Sequence, residues 1–385
     1  MIIRFLVMNT KFFSSKAKDN ILKLIHAGRS FALYRLPGES EPGLVLQEQG
    51  QAEQYFSPES LRDKAGFVLA PFEETKQHPI LLIAPDIAVR GEEVNRALEE
   101  VEVDDRVVQN QEHKKASGAR TNKQQREDYR RSFKRFITPL KSGLFDKLVL
   151  SRSSEFELDK GFSPAEAFVH ACARFPGMMV YLCHTPVSGT WMAITPEILL
   201  KRVDKQYETV ALAGTMAVPE GETAPEWSEK NRREQAHVSD YIRRVIKENG
   251  ELLEEQGPFT ARAGSLVHIK TIFKFCLKSR EKVVSVVDAL HPTPAVCGLP
   301  KEECFRFILE NEGYDRAYYS GFVGPLSLKG RSDLYVNLRC ARLEGTKAVL
   351  YAGGGLLPSS EEEAEWSETV EKMKTMLSIL KQPNL

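Results

Sequence analysis

Hydrophobic positions recur along this chain at two periods, two residues in some stretches and three to four in others, which predicts strands interleaved with helices. In the first hundred residues the runs 31–36 and 80–84 read as strands. Residues 102–124 turn polar and read as a surface linker or mobile loop. Beyond it the pattern predicts a helix over 125–141, a strand over 147–152 and a helix from Ser163, whose hydroxyl can cap it ahead of Pro164. Strands follow at 178–184, 190–200 and 207–213, then a long helix over 228–254 and a strand at 265–277. Short helices near 281–289 and 301–311, strands at 319–328, 332–343 and 346–352, and a last helix over 361–381 complete the series. Strands in hairpin-like succession, without regular βαβ alternation, argue for an α+β fold with largely antiparallel sheets.

Composition narrows what such a fold does. At 385 residues and 42% hydrophobic content the chain can build one large core or two ordinary ones. Lys plus Arg (53) equals Asp plus Glu (53), so no global field draws it to nucleic acid or an anionic membrane. The basic cluster Arg130, Arg131, Lys134 and Arg135 reads as the solvated face of an amphipathic helix. Six scattered cysteines without Cys-x-x-Cys spacing argue against structural zinc or a disulfide framework and fit a reducing cytoplasm. The apolar start is too short for a signal peptide, and no stretch reaches a membrane span.

Several charged residues fall where a helix or strand faces its core. On the last helix Trp366, Val370, Met373, Leu377 and Leu380 form an apolar stripe, with Glu365, Glu368 and Lys372 along its border. Two carboxylates at i and i+3 with a lysine one turn on suit either a hard divalent cation or an i,i+4 ion pair. Glu234 shares a helix face with Val238, Tyr241, Val245 and Leu252, opposite Arg232, Arg233, Asp240, Arg243 and Arg244. A lone inward carboxylate needs a metal or a lysine such as Lys372. Lys147 heads a strand and is either a desolvated base or a strand-end lysine reaching solvent. Glu197, after Pro196, is either a buried carboxyl kept protonated near neutrality or a turn glutamate. Arg339 lies on a strand with Tyr335, Asn337 and Ala341 on its face, which suits bidentate binding of a carboxylate. Gly353, Gly354 and Gly355 offer bare backbone after a strand predicted to end at Ala352. The proline-rich run 291–300 stiffens a loop carrying His291 and Thr293, and Leu212–Thr215 ends a strand on a small-residue turn.

The segments at 147–152, 195–200, 212–215, 228–234, 290–298, 338–343, 352–358 and 365–369, in that order, resemble the chorismate-utilising enzyme family. The resemblance covers roughly residues 125–380, with 1–101 matching the family's variable N-terminal part and 125–381 its chorismate-binding catalytic region. It implies a single large α+β domain of two sandwiched antiparallel sheets with helices outside and the active site in the cleft between them. It is nearest the members that isomerise chorismate to isochorismate, for menaquinone or catechol siderophore biosynthesis. By that resemblance Lys147 matches the base that activates water for attack at C2, and Glu197 the acid that protonates the departing C4 hydroxyl. Glu234 and Glu368 match Mg2+ ligands, with Glu365 in the same shell. Arg339, Lys372 and the Gly353 backbone match groups that hold substrate carboxylate, while Thr215, His291 and Ala295 line the ring pocket. A monomer is expected, without an obligatory amidotransferase, membrane or nucleic-acid partner.

Departures bear on subtype. Asn231 replaces a frequent acidic residue, Gln235 a common histidine and Met216 a common arginine. Lys147 argues against anthranilate synthase and Ala213 against aminodeoxychorismate synthase. Salicylate synthase, which adds a pyruvate elimination, and a non-catalytic chorismate or metal binder remain as alternatives.

Overall fold

Residues 12–103, 122–218, 226–263, 266–279 and 281–381 are described by a computed structural model of the chain. The first elements are α1 (Ser15–His26), β1 (Phe31–Arg35), β2 (Gly43–Leu46), β3 (Glu53–Tyr55), β4 (Gly66–Ala70), β5 (Ile80–Ile83), β6 (Ile87–Arg90) and α2 (Glu92–Glu100). Then come α3 (Asn122–Lys141), β7 (Lys147–Glu157), α4 (Pro164–Arg174), β8 (Met179–Thr185), β9 (Gly189–Thr195), β10 (Ile198–Val203) and β11 (Gln206–Ala217). Next are α5 (Glu229–Asn249), β12 (Gly250–Ala263), β13 (Leu266–Leu277), α6 (Lys282–Leu290), β14 (Gly298–Leu299) and α7 (Lys301–Asn311). Last are β15 (Phe322–Leu326), β16 (Ser332–Val336), β17 (Cys340–Glu344), β18 (Lys347–Leu356) and α8 (Glu362–Leu380).

The strands form two nine-stranded sheets, ordered β14-β7-β18-β17-β9-β8-β1-β2-β6 and β12-β13-β11-β10-β16-β15-β4-β5-β3. Both sheets are antiparallel throughout, and together with the helices they make the predicted single α+β domain. Tyr34, Tyr181, Trp191 and Tyr351 of the first sheet pack with Phe67, Val323 and Tyr335 of the second. Outside, α1, α2, α4 and α8 cover the first sheet, and α5 and α6 the second. No helix among the described residues is long and apolar enough to cross a membrane.

Two antiparallel strands change sheet side by side. β9 belongs to the first sheet and β10 to the second, with Pro196 and Glu197 between them. β16 and β17 make the reverse passage through Asn337, Leu338 and Arg339. The corners are stitched together: Val336 N–H donates to Glu197 O at 2.9 Å, Ile194 N–H to Arg339 O at 3.1 Å, and the Thr195 hydroxyl to Val336 O at 2.6 Å. Arg339 turns the chain at φ +48°, a left-handed conformation that costs energy for a non-glycine residue.

Several expectations are corrected. The predicted strands 190–200 and 332–343 are each two strands, because the corner residues leave one sheet for the other. The helix predicted over 228–254 stops at Asn249, and Leu252 is an exposed residue of β12 rather than part of the inward face of Glu234. The glycines 353–355 lie inside β18, paired with Ser151, Leu150 and Val149, rather than in a turn after it. Leu212–Thr215 likewise does not end a strand: Gly214, at φ +69°, makes a bulge and β11 continues to Ala217. Residues 104–121 of the predicted linker lie outside the described residues, and its last three residues already belong to α3.

Candidate active site

Between the sheets, at the paired corners, lies a small cavity. Glu197 enters it from the first corner and Arg339 from the second. Burial raises the Glu197 pKa to about 7, despite the Thr293 hydroxyl donating at 3.1 Å to Oε1 and the nearby charges of Lys147 and Lys372. The alternative of a solvated turn glutamate is therefore excluded by geometry: the side chain is 2% exposed. Thr293 sits in the stiff turn whose Val296 and Cys297 N–H groups both donate back to Thr293 O at 2.9 Å.

Lys147 is fully buried, so it is no strand-end lysine reaching water, and its Nζ lies 3.0 Å from Glu234 Oε1. Glu234 reaches in from α5 and also accepts from Gly214 N–H at 3.2 Å, a donor aimed by the β11 bulge. Burial works against charge on Glu234, yet Lys147, Lys230 and Lys372 outweigh it and hold its pKa below the ordinary value.

Glu365 and Glu368 converge on the same place from α8. Glu365 is 1% exposed and lies in the buried row with Thr369, Met373, Met376 and Leu380, not at the border of a Trp366-centred stripe. Lys230, one helical turn before Glu234, pairs with its Oε1, while its Oε2 is buried without a hydrogen-bond partner. Burial, and then the neighbouring Glu368, raise the Glu365 pKa. Glu368 pairs with Lys372 at 2.7 Å, and Lys372 Nζ also donates to Gly353 O at 2.9 Å. The salt-bridge partner considered for Glu234, Lys372, is thus taken by Glu368, and Lys147 holds Glu234 instead.

The glycine run makes this convergence possible. A Cβ on Gly355 would stand 2.3 Å from Glu234 Oε1 and 2.8 Å from Lys147 Cε, and one on Gly354 would stand 3.3 Å from both Glu365 Oε2 and Glu368 Oε1. Among the described residues no three acidic, histidine or cysteine side chains form a ready metal cage, each glutamate being held by a lysine. Even so, three hard carboxylates around bare backbone, with one oxygen buried and unpartnered, fit the donor chemistry of a divalent cation such as Mg2+.

Arg339 donates from Nη1 to Thr375 Oγ1 at 3.1 Å and from Nη2 to His268 Nε2 at 3.0 Å. His268 therefore accepts at Nε2 and donates from Nδ1 to Gly214 O at 3.0 Å. Burial, then Arg339 and Lys372, push its pKa well down and keep it neutral. Burial also lowers the Arg339 pKa to about 10. The guanidinium is thus fixed in the cavity wall by neutral partners, leaving its charge for a ligand.

Of the sequence-assigned residues, Glu197, Thr215, Glu234, Ala295, Arg339, Gly353 and Lys372 line the cavity. Glu365 and Glu368 meet at Gly354, and Lys147 meets Glu234 beneath Gly355. The His291 ring does not line the cavity: it is buried edge-on against Phe322, and burial lowers its pKa to about 3. Sequence reasoning missed His268, Tyr319, Tyr351 and Lys230. Lys230 had a signal, since the i,i+4 spacing places it above Glu234 on the same helix row. His268 offered only its isolation within an apolar strand run.

The family described as chorismate binding enzyme matches residues 64–381. Isochorismate synthase EntC of Escherichia coli K12 is 30% identical over 244 residues, which cover 61% of this chain and 62% of EntC. Isochorismate synthase DhbC of Bacillus subtilis is 29% identical over 266 residues, covering 65% and 67%. In fold, the chain is similar to MenF, the menaquinone-specific isochorismate synthase of Escherichia coli, with a TM-score of 0.71 at 21% identity, covering 96% of this chain and 92% of MenF. The family match spans both corners, the glycine run and all three converging glutamates, and this chain belongs to the chorismate-binding enzymes.

Proposed function

We propose that the protein is an isochorismate synthase, a Mg2+-dependent isomerase that adds water at C2 of chorismate and releases the C4 hydroxyl as water. The observation that carries this reading is a buried carboxyl lining the cavity, its pKa raised to about 7, with a buried lysine just behind the cavity wall, against Glu234 and Gly355. Lys147, as the general base, takes a proton from water as its oxygen bonds to C2. Glu197 gives its proton to the C4 oxygen as that bond breaks and the ring double bond shifts. The resulting ammonium is stabilised by Glu234, the pairing present in the structure, and return of the proton from lysine to Glu197 completes the cycle.

Arg339, Lys372 and backbone at Gly353 would hold the substrate's carboxylates. Glu234, Glu365 and Glu368 would hold Mg2+, which when bound neutralises a carboxylate beside the reacting ring. Water as nucleophile removes the need for an amidotransferase, and a monomer suffices because both corners come from one chain. Six free cysteines support a reducing cytoplasm. The relatives named for menaquinone and for vibriobactin leave the consuming pathway as either quinone or siderophore synthesis.

Purified protein incubated with chorismate and Mg2+ should yield isochorismate without pyruvate, and chelation should abolish turnover reversibly. Stoichiometric pyruvate with salicylate would replace the isomerase reading by a lyase. Chorismate binding without turnover would leave a binder.

A further inference from the structure

Two charged residues behind the cavity wall reach no part of the cavity yet bond to what does. Glu312 and Arg316, just after α7, form a buried ion pair, each side chain 2% exposed. Arg316 Nε donates to Glu312 Oε2 at 2.6 Å and Nη2 to Oε1 at 2.7 Å. Arg316 also donates from Nη2 to Val149 O at 2.9 Å and from Nη1 to Val296 O at 2.8 Å, and its guanidinium lies 6.0 Å from the Tyr319 ring centroid. Val149, Val296 and Tyr319 all line the cavity.

Glu312 supplies what the sheet lacks at this edge. β14 pairs with β7 only at Lys147 and Leu148, and Val149 N–H donates to Cys297 O at 2.9 Å. Further along, no strand among the described residues continues on that side of β7, and Ser151 N–H donates to Glu312 Oε1 at 2.7 Å, with the Ser151 hydroxyl at 2.8 Å. A carboxylate thus replaces a ladder carbonyl, and its arginine partner crosses to the turn carrying Thr293. A buried ion pair is poor value for stability compared with apolar packing of the same shape, which points away from a purely structural reason for it.

We propose that Glu312 and Arg316 are positioning residues. They lock the strand that presents Lys147 to the turn whose Thr293 orients Glu197, so that base and acid act on one substrate. This rests on the isomerase reading for its effect on rate, though not for its effect on Glu197 itself.

Two variants test it. Arg316→Lys keeps the charge but loses the fork that spans both carbonyls. Glu312→Leu combined with Arg316→Met replaces the pair by apolar volume, which removes the bonds without stranding a buried charge. In either folded variant kcat should fall about 100-fold while KM for chorismate changes less than about threefold, the signature of misplaced rather than missing groups. The Thr293 bond pulls the Glu197 pKa down, so its loss should move the alkaline limb of kcat to higher pH. Infrared difference titration of the Glu197 carboxyl, referenced to Glu197→Gln, should show the same upward shift without any turnover. A kcat per folded molecule within about twofold of the parent, with an unmoved carboxyl titration and only a lower Tm, would make the pair a structural brace and overturn the proposal. If the parent protein makes no isochorismate, the activity reading fails instead, and the infrared titration still decides the positioning role.

Discussion

At Glu197 burial, a hydroxyl donor and two lysines act on one carboxyl, and burial wins, leaving it half-protonated near pH 7. In its proposed role as the acid it must carry its proton, so kcat should decline about tenfold per pH unit above that value, as read from the alkaline limb of a pH–rate profile. The stability sign runs the same way. The folded pKa lies above the ordinary 4.5, so the unfolded chain binds fewer protons between the two values and folding stability is lost as pH rises from about 4.5 through about 7. Glu197→Gln should abolish turnover yet raise Tm relative to the parent at pH 8.5; a lowered Tm there would mean that the carboxylate is not penalised by burial. Lys147→Ala should also abolish turnover, with a lower Tm because Glu234 is left buried without its nearest cation. Glu197 was legible because a proline and an acid interrupt an apolar run. His268 was not, because its role depends on Arg339, 71 residues away in sequence, and no local pattern encodes such a partner.

The elements show the same division between local and distant causes. Ser163 caps α4 by accepting from Glu166 N–H, and α3, α6, α7 and α8 form near their predicted bounds, since caps and helical periodicity are local signals. The polar, glutamate-rich run after Asn249 reads as more helix, but it becomes β12 by pairing with β13 and leaves its side chains mostly exposed. The glycine run misled for a related reason. Glycines in a strand normally signal a turn or weakness, whereas here β18 keeps its ladder with β7 and omits side chains to make room for Glu234, Lys147, Glu365 and Glu368. Gly355→Ala is the sharpest test of this element. A Cβ 2.3 Å from Glu234 Oε1 must displace the carboxylate, so kcat should fall at least about 100-fold. Because β18 backbone geometry accepts alanine, Tm should drop only by the few degrees typical of about 1–2 kcal/mol of crowding. Full activity in Gly355→Ala would show that Glu234 need not approach the strand.

At the scale of the whole molecule, the candidate catalytic motifs and the strands of residues 31–90 share the same two sheets. β1, β2 and β6 complete the first sheet beyond β8, while β4, β5 and β3 complete the second beyond β15. The core between the sheets mixes Ala32, Tyr34, Phe67, Leu69, Leu81 and Ile83 with Tyr181, Trp191 and Tyr335. A chain beginning at residue 122 retains every candidate catalytic and cation-binding residue but exposes two long strand edges and half of that core. Such edges template aggregation, and the Asn337 corner loses the packing around Tyr181, whose hydroxyl donates to Asn337 Oδ1 at 2.8 Å. The truncated chain should therefore be insoluble or molten, without chorismate-dependent stabilisation. The full chain should unfold in one calorimetric transition, with the loss of near-ultraviolet signal from Trp191 coincident with the loss of far-ultraviolet signal. Two separated transitions, or a soluble truncated chain with native turnover, would show that the corners can be held by the second half alone. That outcome is disfavoured because the two corners hang on the sheets they join, and each sheet draws three of its nine strands from residues 31–90.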